Sequence, residues 1–140
     1  MLPLGYAGRG GVIIGNYFGS AGQINLEMFT EGRLRLFFIN NGVRVEHVFN
    51  TDLRSNEMVH IALTVDGTLA VLYVNGSAVE TAMLPTTLPN ISSGYILGGD
   101  RRPGNDQYFK GMIYSVALFE DVRTAEEIRR RTRSRIPTYC

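Results

Sequence analysis

The stretch that most constrains the fold runs from His60 to Gly76, HIALTVDGTLAVLYVNG. Two short runs rich in apolar and β-branched residues are joined by Asp66-Gly67, and the second ends at Asn75-Gly76. Asp-Gly and Asn-Gly supply the positive-φ positions that tight hairpin turns need. In the first run Ile61, Leu63 and Val65 share a face, and in the second Leu69, Val71 and Tyr73 do. The intervening Ala62 and Thr64, and Ala70, Leu72 and Val74, are not fully polar, so the second face is expected to be partly covered as well. Such a pattern suits central strands of a two-sheet sandwich.

The rest of the chain repeats this grammar. Residues 1–11 are glycine-rich and turn-like, and Val12 to Phe18 reads as a strand with Gly15 as a bulge. Ile24 to Thr30 alternates Ile24, Leu26 and Met28 against Asn25 and Glu27. Glu31-Gly32 turns into Arg33–Ile39, with Leu34, Leu36 and Phe38 inward and Arg33 and Arg35 outward. Asn40-Asn41-Gly42 is a hairpin signal, and the returning strand Val43–Phe49 sets Val43, Val45, His47 and Phe49 against Arg44 and Glu46. Asn50 to Glu57 is a polar connection and Ser77–Met83 a further strand. Leu84 to Ser93 is a loop, Tyr95 to Gly98 a short strand, Arg101 to Gln107 a loop, and Tyr108 to Phe119 a long strand. Only the end reads as helical: Thr124 followed by Glu127 is a capping-box spacing, and arginines crowd the last turns.

A chain of 140 residues without repeats or an internal linker is expected to form one domain, residues 1–140. The net charge of +1 argues against a general polyanion-binding surface, although residues 123–140 carry six Arg against two Glu. Arg129, Arg130, Arg131, Arg133 and Arg135 read as the solvated face of the closing helix; without interleaved aromatic residues they do not make a nucleic-acid platform, and no nucleic-acid partner is expected. The lone Cys140 excludes an intrachain disulfide and any cysteine-based zinc site. No apolar run reaches the roughly 18 residues of a membrane helix, so no membrane partner is expected. MLPLGYAGRGG lacks the layout of a signal peptide, which leaves an intracellular protein or, as the reading favoured here, a piece of a larger one.

Asn56-Glu57-Met58-Val59-His60-Ile61-Ala62-Leu63-Thr64-Val65-Asp66-Gly67, followed by Leu72-Tyr73-Val74-Asn75-Gly76, resembles the paired signature of laminin-G-like domains of the concanavalin A-like lectin/glucanase superfamily. YILGGD (95–100) and YFKGMIYSVALFEDVRTAEEI (108–128) are similar to that family's closing signature. The resemblance covers roughly residues 56–131 and implies an all-β, antiparallel jelly-roll sandwich with one short C-terminal helix. Family members commonly bind carbohydrate or protein in secreted and cell-surface proteins, and some carry a structural calcium ion. Two features depart from the family pattern. Met58 stands where a tryptophan is common, and the chain has no Trp. Family members also usually open with two further strands before the equivalent of Val12; Met1-Leu2-Pro3-Leu4 looks like the tail of the second. The chain therefore reads as a piece of a larger protein or as a domain whose first strands come from elsewhere; where they are absent, the remaining sheet has an unpaired edge, which invites a homodimer through sheet edges.

No catalytic residue is identified: the glucanase branch sets alternating carboxylates on one strand, about 5 Å apart, and no Glu-x-Asp-x-x-Glu spacing occurs here. His60 reads as a structural histidine. For calcium, which takes several oxygen ligands, Asp100, Asn105 and Asp106 surround one loop; the favoured reading is that Asp100 caps the turn and pairs with Arg101 or Arg102 while Asn105-Asp106 makes a turn. No cofactor is required. For a sugar, which needs aromatic faces beside amides, carboxylates or Arg forks, the candidates are Asp100, Arg101, Arg102, Asn105, Asp106 and Tyr108, with a second group of Asn40, Asn41 and Arg44 at a hairpin tip. Sequence therefore points to a non-catalytic, extracellular or cell-surface module recognising a glycan, with neighbouring domains of a larger chain as further partners. The competing readings are a structural or protein-interaction domain that associates through sheet edges, and an accessory module of a multidomain glycoside hydrolase.

Overall fold

The structure is a computed structural model that describes residues 8–15, 23–89, 95–98, 108–113, 115–119 and 121–135. Its strands are β1 (Gly11–Gly15), β2 (Gln23–Met28), β3 (Arg33–Asn40), β4 (Val43–Asp52), β5 (Ile61–Asp66), β6 (Leu69–Val74), β7 (Ser77–Met83) and β8 (Ile96–Leu97), and the helix is α1 (Ala125–Arg135). They form a five-stranded sheet ordered β4-β3-β2-β1-β8 and a three-stranded sheet ordered β5-β6-β7, with every strand pair antiparallel. The expected two-sheet antiparallel sandwich with one short terminal helix is the observed fold.

The turns follow the sequence closely. Asn41-Gly42 and Asn75-Gly76 each carry two successive positive φ angles, the requirement of a two-residue hairpin turn of type I′. At 66–69 only Gly67 is positive, the mark of the type II′ alternative, so Asp66 ends its strand rather than entering the turn. Glu31 and Gly32 both take positive φ inside the short 3-10 turn Thr30–Gly32 between β2 and β3.

That two-residue turn also decides which side of β6 is inside. Ile61 pairs with Val74, Leu63 with Leu72 and Val65 with Ala70, so odd positions of β5 share a face with even positions of β6. Ala70 and Leu72 are therefore buried in the core, while Leu69, Val71 and Tyr73, the alternating set that reads as equally apolar in sequence, lie on the other face. Facing them across the sandwich are Leu34, Leu36 and Phe38 of β3, Val45 and Phe49 of β4, and Met28 of β2.

Glu80 of β7 ties the two sheets together. Its carboxylate accepts hydrogen bonds from the Asn50 and Thr51 amides at 2.9–3.0 Å and from the Thr51 hydroxyl at 2.8 Å. Burial works to raise its pKa, but the bonds from Asn50 and Thr51 and the nearby His47 hold it below the usual carboxylate value.

Two expectations about strands are corrected. The irregularity in β1 falls between Val12 and Ile14 rather than at Gly15. Gly15 is needed for another reason, since a Cβ there would collide with the side chain of buried Asn25. The long strand expected over Tyr108–Phe119 is not formed. Tyr108 makes an isolated parallel bridge to Val12, and the next two amides bond to Gly98 and Gly10. Beyond them the described residues to Phe119 have no strand ladder. An alternating apolar run becomes a strand only where a neighbour comes within hydrogen-bond reach; residues 112, 113 and 115–119 instead line a cleft whose opposite wall is Ile61–Thr64 of β5.

α1 is opened by the expected capping box. The Glu127 amide donates to Thr124 Oγ1 (3.2 Å), and Glu127 Oε1 lies 3.0 Å from the Thr124 hydroxyl and 3.4 Å from its amide. The helix docks at the start of β5: Thr132 Oγ1 donates to the Ile128 carbonyl (2.9 Å) and lies 3.0 Å from His60 Nδ1. With the hydroxyl hydrogen committed to Ile128, the imidazole must donate through Nδ1. Burial first, and the Arg131 charge second, lower the His60 pKa below 6.5. The unfolded chain then takes up this proton before the folded one does. His60 thus contributes stability fully present above about pH 6.5 and lost as the pH falls from there toward the folded pKa. Melting at pH 5.5 is expected to occur below that at pH 7.5, and His60→Gln is expected to flatten the difference; an unchanged slope in the variant would place the pH dependence elsewhere.

Candidate functional site

The outer face of the five-stranded sheet carries a row of polar and aromatic side chains. Period-two alternation puts Ile24, Leu26 and Met28 toward the core and leaves Asn25 and Glu27 outside, beside Phe37 and Arg35 of β3. On β4 the same face receives Arg44, Glu46 and Val48. Although outward, much of this row is not solvated: Asn25 is 2% and Glu27 3% exposed.

Charge pairing explains how those groups tolerate burial. Arg35 spans the strands, with Nη1 2.8 Å from Glu27 Oε1 and Nη2 3.0 Å from Glu46 Oε1. Arg9 adds a second contact to Glu27 at 3.2 Å, and Arg44 a second to Glu46 at 2.8 Å. The Arg44 hydrogen bond, against burial and with Arg35 assisting, holds the Glu46 carboxyl below its ordinary pKa. Aromatic rings are interleaved with these cations. Arg9 and Arg35 lie over Phe29 at 5.2 and 5.3 Å, and Arg35 and Arg44 over Phe37 at 5.7 and 4.9 Å.

Two of the residues singled out in sequence stand at the margins of this row. Arg44 is exposed at the β4 side. Tyr108, 65% exposed, bridges Val12, which itself pairs with Glu27, so its side chain shares their face at the β1 side. The structure thus brings Tyr108 and Arg44 to one surface from opposite flanks. Asn40 and Asn41 do not join them. Asn40 Nδ2 donates to the Thr87 carbonyl at 2.9 Å and tethers the hairpin to the segment after β7, while Asn41 supplies a positive-φ turn position. Asp100, Arg101, Arg102, Asn105 and Asp106, and with them the candidate calcium ligands, lie outside the described residues. Among the described residues there is no group of three or more His, Cys, Asp or Glu side chains that could hold a metal ion, and no helix long and apolar enough to cross a membrane.

Sequence reasoning passed over Glu27, Arg35, Glu46, Phe29 and Phe37 as parts of a site. Arg33-x-Arg35 and Asn25-x-Glu27 read as the water-facing halves of two ordinary strands. Their only sequence signal is opposite charge at positions that a β2–β3 register brings side by side.

Comparison with known proteins adds family evidence. A laminin G-like family model, described as the concanavalin A-like lectin/glucanases superfamily, matches residues 3–129. No curated protein matches. Among solved structures, residues 221–444 of an S-layer domain-containing protein from Clostridium thermocellum are similar, with 22% identity and a TM-score of 0.45. The match covers 94% of this chain and 66% of the length of that one.

Proposed function

Since the chain belongs to the concanavalin A-like lectin/glucanase superfamily, we propose that it is a non-catalytic module that binds carbohydrate outside the cell through the outer face of its five-stranded sheet. One observation carries this reading: the exposed Tyr108 ring and the exposed Arg44 guanidinium share a face with the Glu27–Arg35–Glu46 row. A sugar presents an apolar C–H face for an aromatic ring and hydroxyls for charged donors and acceptors, and this surface offers both. A glycan array tests it. Tyr108→Ala and Arg44→Ala are expected to lose signal at least tenfold with unchanged melting temperature; wild-type protein that binds no sugar on the array overturns the reading.

A second reading, association through sheet edges without a small ligand, is favoured by the state of β5. It forms one side of the three-stranded sheet and, among the described residues, pairs only with β6. Unpaired main-chain groups on a strand edge are a template for another strand.

A further inference from the structure

The core of the sandwich is open beside β5. Ile61, Leu63 and Val65 point inward with Ala70 and Leu72, yet they are only partly buried, while those two β6 neighbours are fully covered. The main chain is open on the same side. The His60 carbonyl accepts from the Asn75 amide at 2.8 Å, so in the antiparallel ladder His60, Ala62, Thr64 and Asp66 turn their N–H and C=O groups toward β6. Those of Ile61, Leu63 and Val65 turn the other way and meet no partner among the described residues. Beside them lies a cleft of about 1100 Å³, floored by Leu26 and Met28 of the other sheet. Met112, Leu118 and Phe119 stand on its far side, 63%, 59% and 43% exposed.

These walls specify the chemistry of what fits between them. A hydrocarbon chain would bury the outward N–H and C=O groups of β5 without partners, and a sugar would set its hydroxyls against the apolar floor. An extended peptide suits both, with main-chain groups for β5 and alternate side chains for the floor. The size agrees. A strand in a packed sheet occupies about 4.8 Å by 10 Å by 3.3 Å per residue, roughly 160 Å³. The cleft therefore holds about seven residues, one strand against the six of β5. Charge distinguishes one end. Arg123, Arg130 and Arg131 line the cleft where α1 meets the start of β5, against one lining carboxylate, Glu127, which Thr124 and Arg123 already engage. Arg130 is exposed and makes no ion pair among the described residues. We propose that the cleft receives one extended segment of a partner protein, about seven residues long, apolar at alternate positions and acidic beside α1. Bound there, the segment covers the half-buried side chains of Ile61, Leu63 and Val65 and pairs with their main chain. This inference rests on the edge-association reading and gives it a site and a partner chemistry.

Residue-resolved amide hydrogen exchange tests it. In the protein alone, the amides of Ile61, Leu63 and Val65 are expected to exchange much faster than those of Ala62 and Thr64, which bond to β6. The probe is a blocked heptapeptide with valine at its second, fourth and sixth positions, threonine at its third and fifth, and glutamate at both ends, so that it serves either strand direction. Adding it is expected to slow the three outward amides about tenfold or more and to leave Ala62 and Thr64 nearly unchanged. The same peptide with lysine at both ends is expected to bind about tenfold more weakly, and so is the glutamate peptide to Arg130→Glu, a variant that melts with the wild type. Equal binding of the two peptides overturns the acidic partner and leaves the edge reading standing. Fast amides that neither peptide slows overturn the cleft as a strand site, again without touching the edge reading. Outward amides already slow in the monomeric protein show that the chain covers its own edge, and overturn both.

Discussion

Replacing Arg35 by Met is expected to destabilise the fold by about 3 kcal/mol, the cost of leaving a buried charge without its main partner. Arg35 is the common neighbour of Glu27 and Glu46, and the Glu27 side chain is only 4% exposed. Methionine retains most of the length and apolar packing of arginine, so the loss reports the charge rather than a cavity. Arg9 remains 3.2 Å from Glu27, but its side chain is 43% exposed against 13% for Arg35, so it replaces the more deeply buried guanidinium only in part. Glu27→Gln combined with Arg35→Met is expected to recover more than half of the loss, because the doubly neutral pair no longer holds an orphan charge. Urea unfolding measures both, with the slope unchanged in each variant. A single-variant loss under about 0.5 kcal/mol would mean that Glu27 is better hydrated than its burial implies, and the outer face would then be an ordinary wet surface.

The same residues mark where sequence stops being legible. Turns were readable because their information is local: Asn41-Gly42, Asn75-Gly76 and the Thr124–Glu127 box each specify geometry within four residues. The large apolar residues of β3 and β4 were readable for a similar reason, since an alternation of Leu34, Leu36 and Phe38 against arginines leaves little choice of inner face. β6 was not, because both of its faces are apolar, and only the length of the 66–69 turn selects Ala70 and Leu72. The outer-face row was hidden for a different reason. Glu27, Arg35 and Glu46 come from three strands, and each alone looks like a solvated polar position. Tyr108 joins them through its bridge to Val12, a contact that no local pattern encodes. The segment after Tyr108 shows the converse failure, a good strand pattern that stands across a cleft from β5 and forms no ladder with it among the described residues. Periodicity states what a segment can do, and pairing decides whether it does so.

Phe38→Ala is expected to be the most damaging change on the opposite face of the same strand, at about 3–5 kcal/mol. The ring is fully buried and packs within the cluster formed by Leu34, Leu36, Val45, Phe49 and Leu72, where both sheets meet. Truncation there removes the transfer free energy of an aromatic side chain and leaves a cavity that two hydrogen-bonded sheets cannot collapse to fill. For a domain of this size, a loss of that order takes a large part of the whole stability. Its value lies in the contrast with the surface variants. Phe38→Ala should lower the melting temperature steeply and weaken any glycan signal only in proportion to the unfolded fraction. Tyr108→Ala and Arg44→Ala should remove the signal at full stability, because neither side chain belongs to the core. Thermal melts run beside the array separate the two outcomes. If Tyr108→Ala lowered the melting temperature as much as Phe38→Ala, Tyr108 would be a packing residue, and the outer face would lose its claim to be a binding surface.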